Sequence, residues 1–361
     1  MPGTTGTGHG TSADGLARRG GLAAAARRVL YWGMTELLCI RGLRTVFRTG
    51  AGEVAAVDGV DLSLARGRTL GIVGESGCGK SVLSLSVLRL LPDAGRVAAG
   101  EVVFEGQDLL KLSLAAMRAV RGRRIAMVFQ EPMTSLNPVF TVGDQIMEAV
   151  RAHDATLTRA ELRARAIGAL DRVRIPGAAR RVDDYPHQMS GGQRQRVMIA
   201  MALACSPAVL IADEPTTALD VTVQADILAL LREVQAETGM GVLLITHDLG
   251  VLAETADEVA VMYAGRVVER ASTAALFDDP QHPYTIGLLG SVPRIEEERE
   301  RLLAIEGTVP APFALPPGCR FHPRCVFAVP RCTEVDPPLL PVGAAGHGAA
   351  CIRAPVEEVT A

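Results

Sequence analysis

Nothing in this chain is apolar for long enough to cross a bilayer. Its longest unbroken apolar run, Val197 to Cys205, falls far short of the roughly 20 residues that a spanning helix needs. Charge of one sign is equally scarce. A formal net charge of −3 over 361 residues argues against a nucleic-acid binder, which would carry a basic excess. The Gly- and Thr-rich start lacks the apolar segment of a secretory signal, so a cytoplasmic protein with reduced thiols is expected. The seven cysteines include no C-x2-C pair, so an obvious zinc-site spacing is missing. What the chain does hold is core material. It is 48% hydrophobic, enough for one large domain with an appendage or for two domains.

One stretch organises the rest. Gly74-Glu75-Ser76-Gly77-Cys78-Gly79-Lys80-Ser81 reads G-x-x-x-x-G-K-S, a phosphate-binding loop. Thr69 to Val73 before it reads as a buried strand. Ser81 to Leu91 after it reads as a helix stopped by Pro92. Glycines let backbone N–H groups turn inward around a polyphosphate, and a helix N-terminus adds to the attraction. Lys80 can reach the β- and γ-phosphates, and Ser81 can ligate Mg²⁺. A plain glycine-rich turn would not explain Lys80-Ser81.

Taken in order, residues 1–33 read as a disordered extension. Leu37 to Phe47 and Val54 to Leu64 are expected strands, split by a Gly-rich turn, and Gly100 to Phe104 and Ile125 to Phe129 follow. Phe47 suits either a purine stack or core packing. From Glu131 to Met189 the pattern turns helical, with a capping box at Thr158 and Glu161. Ser190-Gly191-Gly192-Gln193 then opens an apolar helix. Ala208 to Ala212 reads as an apolar strand that runs into Asp213-Glu214. Asp220 precedes another helix, and Val242 to Thr246 ends at His247. Two acids after a strand can be a solvated turn, and a lone His there is more often structural.

In order and spacing, the phosphate loop, Gln130, Ser190-Gly191-Gly192-Gln193, Asp213-Glu214, Asp220 and His247 match the motif set of ABC-type ATPase domains. The chain resembles that family over about residues 34–275. Phe129 to Pro138, Tyr185-Pro186-His187-Gln188, His282-Pro283-Tyr284-Thr285 and the Cys-containing tail narrow the likeness. With them the chain resembles the ATPase subunits of dipeptide/oligopeptide ABC importers.

The resemblance implies an α/β fold: an ABC-type P-loop ATPase with an antiparallel β-subdomain, a helical insertion and a C-terminal Cys-containing regulatory tail. The implied divisions are an ATPase domain over 34–275, its helical subdomain at about 131–205, and a C-terminal extension over 276–361. ATP and Mg²⁺ are the implied cofactors. In such a site Gly74, Ser76, Gly77, Cys78, Gly79, Lys80 and Ser81 cradle the phosphates, and Phe47 stacks on adenine. Ser81, Gln130 and Asp213 hold Mg²⁺, Glu214 polarises the attacking water, and His247 contacts the γ-phosphate. Ser190, Gly191, Gly192 and Gln193, with Asp220, cap an ATP bound on a facing subunit. One motif set implies a second ATPase chain, related but distinct. Two transmembrane permease subunits and an extracytoplasmic peptide-binding protein complete the implied complex, with no nucleic acid. The expected location is the cytoplasmic face of the cell membrane, peripherally bound. Nickel or another solute is the alternative cargo, and a soluble non-transport ABC ATPase is the alternative class. Such soluble ATPases usually carry coiled coils or two ATPase domains, and neither is evident here.

Cys319, Cys325, Cys332 and Cys351 lie in a Pro-rich tail with the spacing C-x5-C-x6-C-x18-C. Clustered thiols in a reducing compartment suggest metal, either zinc or an iron–sulfur cluster, and spacing does not choose between them. His322 is an alternative ligand. The resemblance implies a [4Fe–4S] cluster. Cys39, Cys78 and Cys205 read as isolated core or loop residues, with Cys78 a target for thiol reagents unless nucleotide shields it.

Overall fold

The computed structural model describes residues 36–50, 52–130, 135–217, 219–291, 305–343 and 345–356. The expectations for residues 1–33 and for Glu131 to Thr134 lie outside the described residues.

Two sheets carry the fold. The hairpin of β1 (Glu36–Thr49) and β2 (Gly52–Ala65) starts the first, and β3 (Thr69–Val73) starts the second. β4 (Gly95–Phe104) and β5 (Gln107–Asp108) return to the first, an antiparallel sheet of order β2-β1-β4-β5. The second sheet gains β6 (Ile125–Val128), β7 (Val209–Asp213), β8 (Gly241–Ile245), β9 (Glu258–Tyr263) and β10 (Arg266–Ser272). Two short tail strands, β11 (Leu340–Pro341) and β12 (Gly348–Ala349), complete its order β11-β12-β10-β9-β3-β8-β7-β6. Pairing is parallel from β6 through β7, β8 and β3 to β9, and antiparallel beyond β9.

The parallel strands are short apolar runs because both of their faces are covered. Successive residues point to opposite sides. Val209, Ile211, Leu243, Ile245, Ala260 and Met262 join Leu70 and Ile72 under the antiparallel sheet. Leu210, Ala212, Val242, Leu244, Val259 and Val261 face the helices on the other side. Those helices include Val142–Arg151, Arg159–Arg172 and Gly191–Leu203 from the helical stretch. Thr158 and Glu161 form the expected capping box, each side chain accepting from the other's backbone N–H.

One expectation needs correction. The helix after the phosphate loop spans only Lys80–Val87 and does not continue to Leu91. Arg121 takes the carbonyls of Leu88 and Arg89 at 2.8 Å each, and Arg89 turns to a positive φ of 52°. Tertiary hydrogen bonds thus cap the helix before Pro92 can stop it. β12 pairs with β10, so the C-terminal extension is knitted into the main sheet.

Candidate active site

In open α/β sheets, ligands bind beyond the carboxyl ends of the parallel strands. Four neighbouring strands deliver the candidate motifs on that side here. β3 runs into the phosphate loop, β8 into His247, β7 into Asp213-Glu214 and β6 into Gln130. Register aligns them: Ile72 and Asp213 both pair with Ile245.

The phosphate loop is held from behind. Gly265 donates to the Cys78 carbonyl and accepts from Asp58, each at 2.9 Å. A Cβ at Gly74 would lie 2.2 Å from the Met262 carbonyl, and one at Gly79 would lie 2.4 Å from that of Ala56. Gly79 has φ of 105° and caps the helix that starts at Lys80. No side chain fits at either position without displacing backbone. Lys80 is buried, and its ammonium donates to the carbonyls of Gly74 (2.6 Å) and Glu75 (3.1 Å). Ser76, Gly77 and Ser81 stand exposed along the rim. Cys78 is only 1% exposed, and burial raises its thiol pKa although Lys80 opposes the shift. It is therefore a poor target for thiol reagents even without nucleotide, which corrects the sequence expectation.

Beside the loop, Asp213 is buried and faces the Ser81 hydroxyl. Burial raises its pKa, and that hydrogen bond works in the other direction. Its Oδ1 is buried with no hydrogen-bond partner. An orphaned carboxylate oxygen opposite a serine hydroxyl fits a hard divalent cation such as Mg²⁺.

Glu214, one residue on, is the point of convergence. Its Oε2 accepts from Gln130 Nε2 at 3.0 Å and lies 3.2 Å from His247 Nδ1. The three candidate catalytic residues thus meet on one oxygen. A fourth, Thr217, donates to the same oxygen at 2.8 Å and was not singled out in the sequence. Only its place three residues after Glu214 in a turn hinted at it. Glu214 adopts φ of 48° while its N–H donates to the Ile245 carbonyl at 2.8 Å. The strained backbone aims the carboxylate away from the strand.

Gln195 was also missed. It is buried in the helix Gly191–Leu203 and donates to the Pro215 carbonyl, tying that helix to the Asp213-Glu214 turn. A glutamine on an otherwise apolar face was the available signal.

The remaining candidates sit elsewhere. Ser190 and Gln193 cap the N-terminus of their own helix as a reciprocal capping box. A Cβ at Gly192 would meet Val223 at 2.8 Å, so Gly192 gives that helix close packing. Asp220 is exposed and caps the helix Val221–Thr238. Phe47 is half-buried in β1, against Gly95 of β4.

All four tail cysteines line one small cavity, with Phe321, His322 and His282. None forms a disulfide. Burial raises the thiol pKa values of Cys319, Cys325 and Cys351, that of Cys325 to about 11. His322 is 2.8 Å from the Cys319 carbonyl through Nδ1, which removes that nitrogen as an alternative ligand. Among the described residues no group of three or more His, Cys, Asp or Glu is arranged to hold a metal ion. The sulfurs surround a cavity and do not close on one point.

The ABC transporter family model matches residues 57–217, and the oligopeptide/dipeptide transporter C-terminal region matches 268–332. A Brucella melitensis protein named as a peptide import ATP-binding protein is 54% identical over 88% of this chain and 97% of its own length. A protein of the same name from Brucella abortus is 52% identical over 89% and 96%. Among solved structures, a dimeric ATP-binding cassette in a post-hydrolysis state with ADP and Pi superposes with a TM-score of 0.59. It is 27% identical and covers 65% of this chain and 98% of its own. The cbiO1 protein of Clostridium perfringens, part of an ABC transporter complex, superposes with the same TM-score at 29% identity, covering 68% and 91%.

Proposed function

The chain belongs to the ATP-binding subunits of ABC peptide importers, and from that premise we propose how its residues hydrolyse ATP and couple that to transport. It is an ATPase of that class and energises peptide import. The observation that carries the mechanism is the meeting of Gln130, His247 and Thr217 on one oxygen of Glu214, beside Asp213 and Ser81.

Lys80 exchanges its carbonyl partners for the β- and γ-phosphate oxygens, while the amides of residues 76–81 take the phosphates. Asp213 and Ser81 would hold Mg²⁺, with Gln130 as a further ligand. When bound, the ion would offset negative charge on the phosphates. Glu214 accepts a hydrogen bond from the attacking water. His247 and Gln130 orient that carboxylate and border the γ-phosphate. Phe47 stacks on the adenine. Ser190 to Gln193 and Asp220 complete the site of a facing ATPase chain, so two ATPs join two subunits and hydrolysis releases them.

ABC importer ATPases work with transmembrane permeases and an ATPase partner. The finer reading is a distinct homologous chain as the partner, two permease subunits, a peptide-binding protein outside, and a peripheral seat on the cytoplasmic face of the membrane. No described helix is long and apolar enough to cross a membrane. The divisions 34–275 and 276–361 belong to the same reading.

Donor chemistry supports a finer reading of the cysteines as well. Four thiols lining one small cavity can serve as ligands of a [4Fe–4S] cluster, the reading that the family resemblance favours, with zinc the alternative. Cys319→Ser and Cys325→Ser are expected to lose iron and visible absorbance after anaerobic purification. Unchanged iron in both variants removes the cluster.

Uptake of labelled dipeptides and short oligopeptides tests the coupling, in cells lacking the chain and complemented with wild type or Glu214→Gln. Rescue by wild type alone is expected. Equal uptake in all strains, with the complex present, moves the cargo to nickel or another solute.

A further inference from the structure

Every polar group of Glu75, the second residue of the phosphate loop, is taken. Its carbonyl accepts from Lys80. Its N–H donates to the Tyr284 hydroxyl at 2.8 Å. Its carboxylate accepts from Arg324 Nη1 at 2.9 and 3.1 Å. Tyr284 and Arg324 both belong to the C-terminal extension, 209 and 249 residues away in sequence.

The two partners are themselves immobilised. The Arg324 side chain is 6% exposed. Its other donors go to the carbonyls of Glu306 (2.9 Å), Ile305 (3.3 Å) and Gly307 (3.4 Å), and its guanidinium lies 5.8 Å from the Tyr263 ring centroid. Tyr284 is fully buried, and the rings of Tyr263, Tyr284 and Phe321 pack against one another with centroids 4.7–5.4 Å apart. The loop they grip is rich in glycine and soft by itself, with positive φ at Gly77 and Gly79.

We propose that Arg324 and Tyr284 are positioning residues for ATP: through Glu75 the C-terminal extension fixes the phosphate loop in its binding shape. This rests on the nucleotide-site reading above. None of the motif residues of that reading lies in the extension, so the inference adds a second anchor to the loop. A loop ordered before ATP arrives does not lose that freedom on binding, so its affinity is higher. Glu75 and its two anchors do not reach the reacting atoms. Their loss falls on ATP affinity and KM, with little change in kcat at saturating ATP. A general loss of packing would instead lower the active fraction and leave KM alone.

The test uses the full chain with a fluorescent ATP analogue, and the assembled transporter for KM and kcat. Arg324→Met is expected to weaken binding on the order of tenfold, with Arg324→Lys in between because an ammonium cannot satisfy both Glu75 and three carbonyls. Glu75→Gln and Tyr284→Phe are milder and report the same contacts if Arg324→Met folds poorly. Each is expected to weaken binding several-fold. Glu75→Gln combined with Arg324→Met adds little to Arg324→Met alone, because both remove one interaction. Wild-type affinity and KM in folded Glu75→Gln and Tyr284→Phe overturn the proposal and leave the nucleotide site standing. A wild-type chain that binds no ATP analogue overturns both.

Discussion

Replacing Glu214 by Gln is expected to leave ATP bound and turnover lower by a factor on the order of 10³. The amide matches the carboxylate in shape. Its oxygen can still accept from Gln130 Nε2 and Thr217 Oγ1, which now stand 3.0 and 2.8 Å from Oε2. Local structure is therefore retained. What goes is the negative charge that draws a proton from the attacking water, and neither neighbour can replace it. Gln130 and Thr217 donate to Glu214 and carry no base of their own. Among the described residues, His247 is the one other basic group on that oxygen. A Glu214→Gln/His247→Ala double variant distinguishes a residual role for the imidazole. The measurement is phosphate release by the assembled complex, alongside capture of the nucleotide-bound dimer by size-exclusion chromatography. The variant should run as a stable dimer with ATP and Mg²⁺. Wild-type turnover would remove Glu214 from its assigned role.

The largest stability effect is expected away from the site. Glu269 in β10 is fully buried and accepts three hydrogen bonds. These come from the N–H groups of Gln281 (2.6 Å) and His282 (2.8 Å) and from His347 Nε2 (2.7 Å). Glu269→Ala leaves all three donors buried and unpaired. Breaking a buried charged network in this way costs about 3–5 kcal/mol, or roughly 10 °C in the first thermal transition. Glu269→Gln keeps one acceptor oxygen, which in the Oε1 position serves the Gln281 N–H and His347 Nε2 but leaves the His282 N–H facing an NH2 group, so it is expected to cost less than Glu269→Ala. Circular dichroism melts of both variants check this, and a shift below about 2 °C for Glu269→Ala would show that the donors find other partners. The same corner is acid-sensitive. Burial lowers the His282 pKa to about 4, although Glu269 pulls it upward. Its unfolded value is near 6.5, so the unfolded chain takes up a proton that the native state refuses. The stability this neutral ring contributes is intact above pH 6.5 and is lost as the pH falls toward 4.

Sequence spacing located what is local. The phosphate loop, Asp213-Glu214, His247 and Gln130 each follow an apolar strand directly, so strand order alone gathers them on one side of the sheet. Thr158 and Glu161 were legible for the same reason, lying three residues apart. What escaped is made of distant partners. Glu269 and His347 are 78 residues apart and Glu75 and Arg324 are 249 apart, and no periodicity links them. β11 and β12 have two residues each, too few for any alternation to register. The four cysteines were recognisable as a group. Their arrangement around a cavity depends on Gly318, whose φ of 68° turns the chain against the Cys332 carbonyl.

The pairing of β12 with β10 reaches past the active site. Ala350 donates to the Val268 carbonyl at 2.7 Å, and Ala349 lies opposite Glu269. If residues 305–356 were cut away to isolate the ATPase domain, β10 would become an open edge flanked by Val267, Val268 and Ala271. Unpaired apolar edges recruit strands from other molecules. The shortened protein would tend to self-associate and precipitate, so the C-terminal extension also guards solubility.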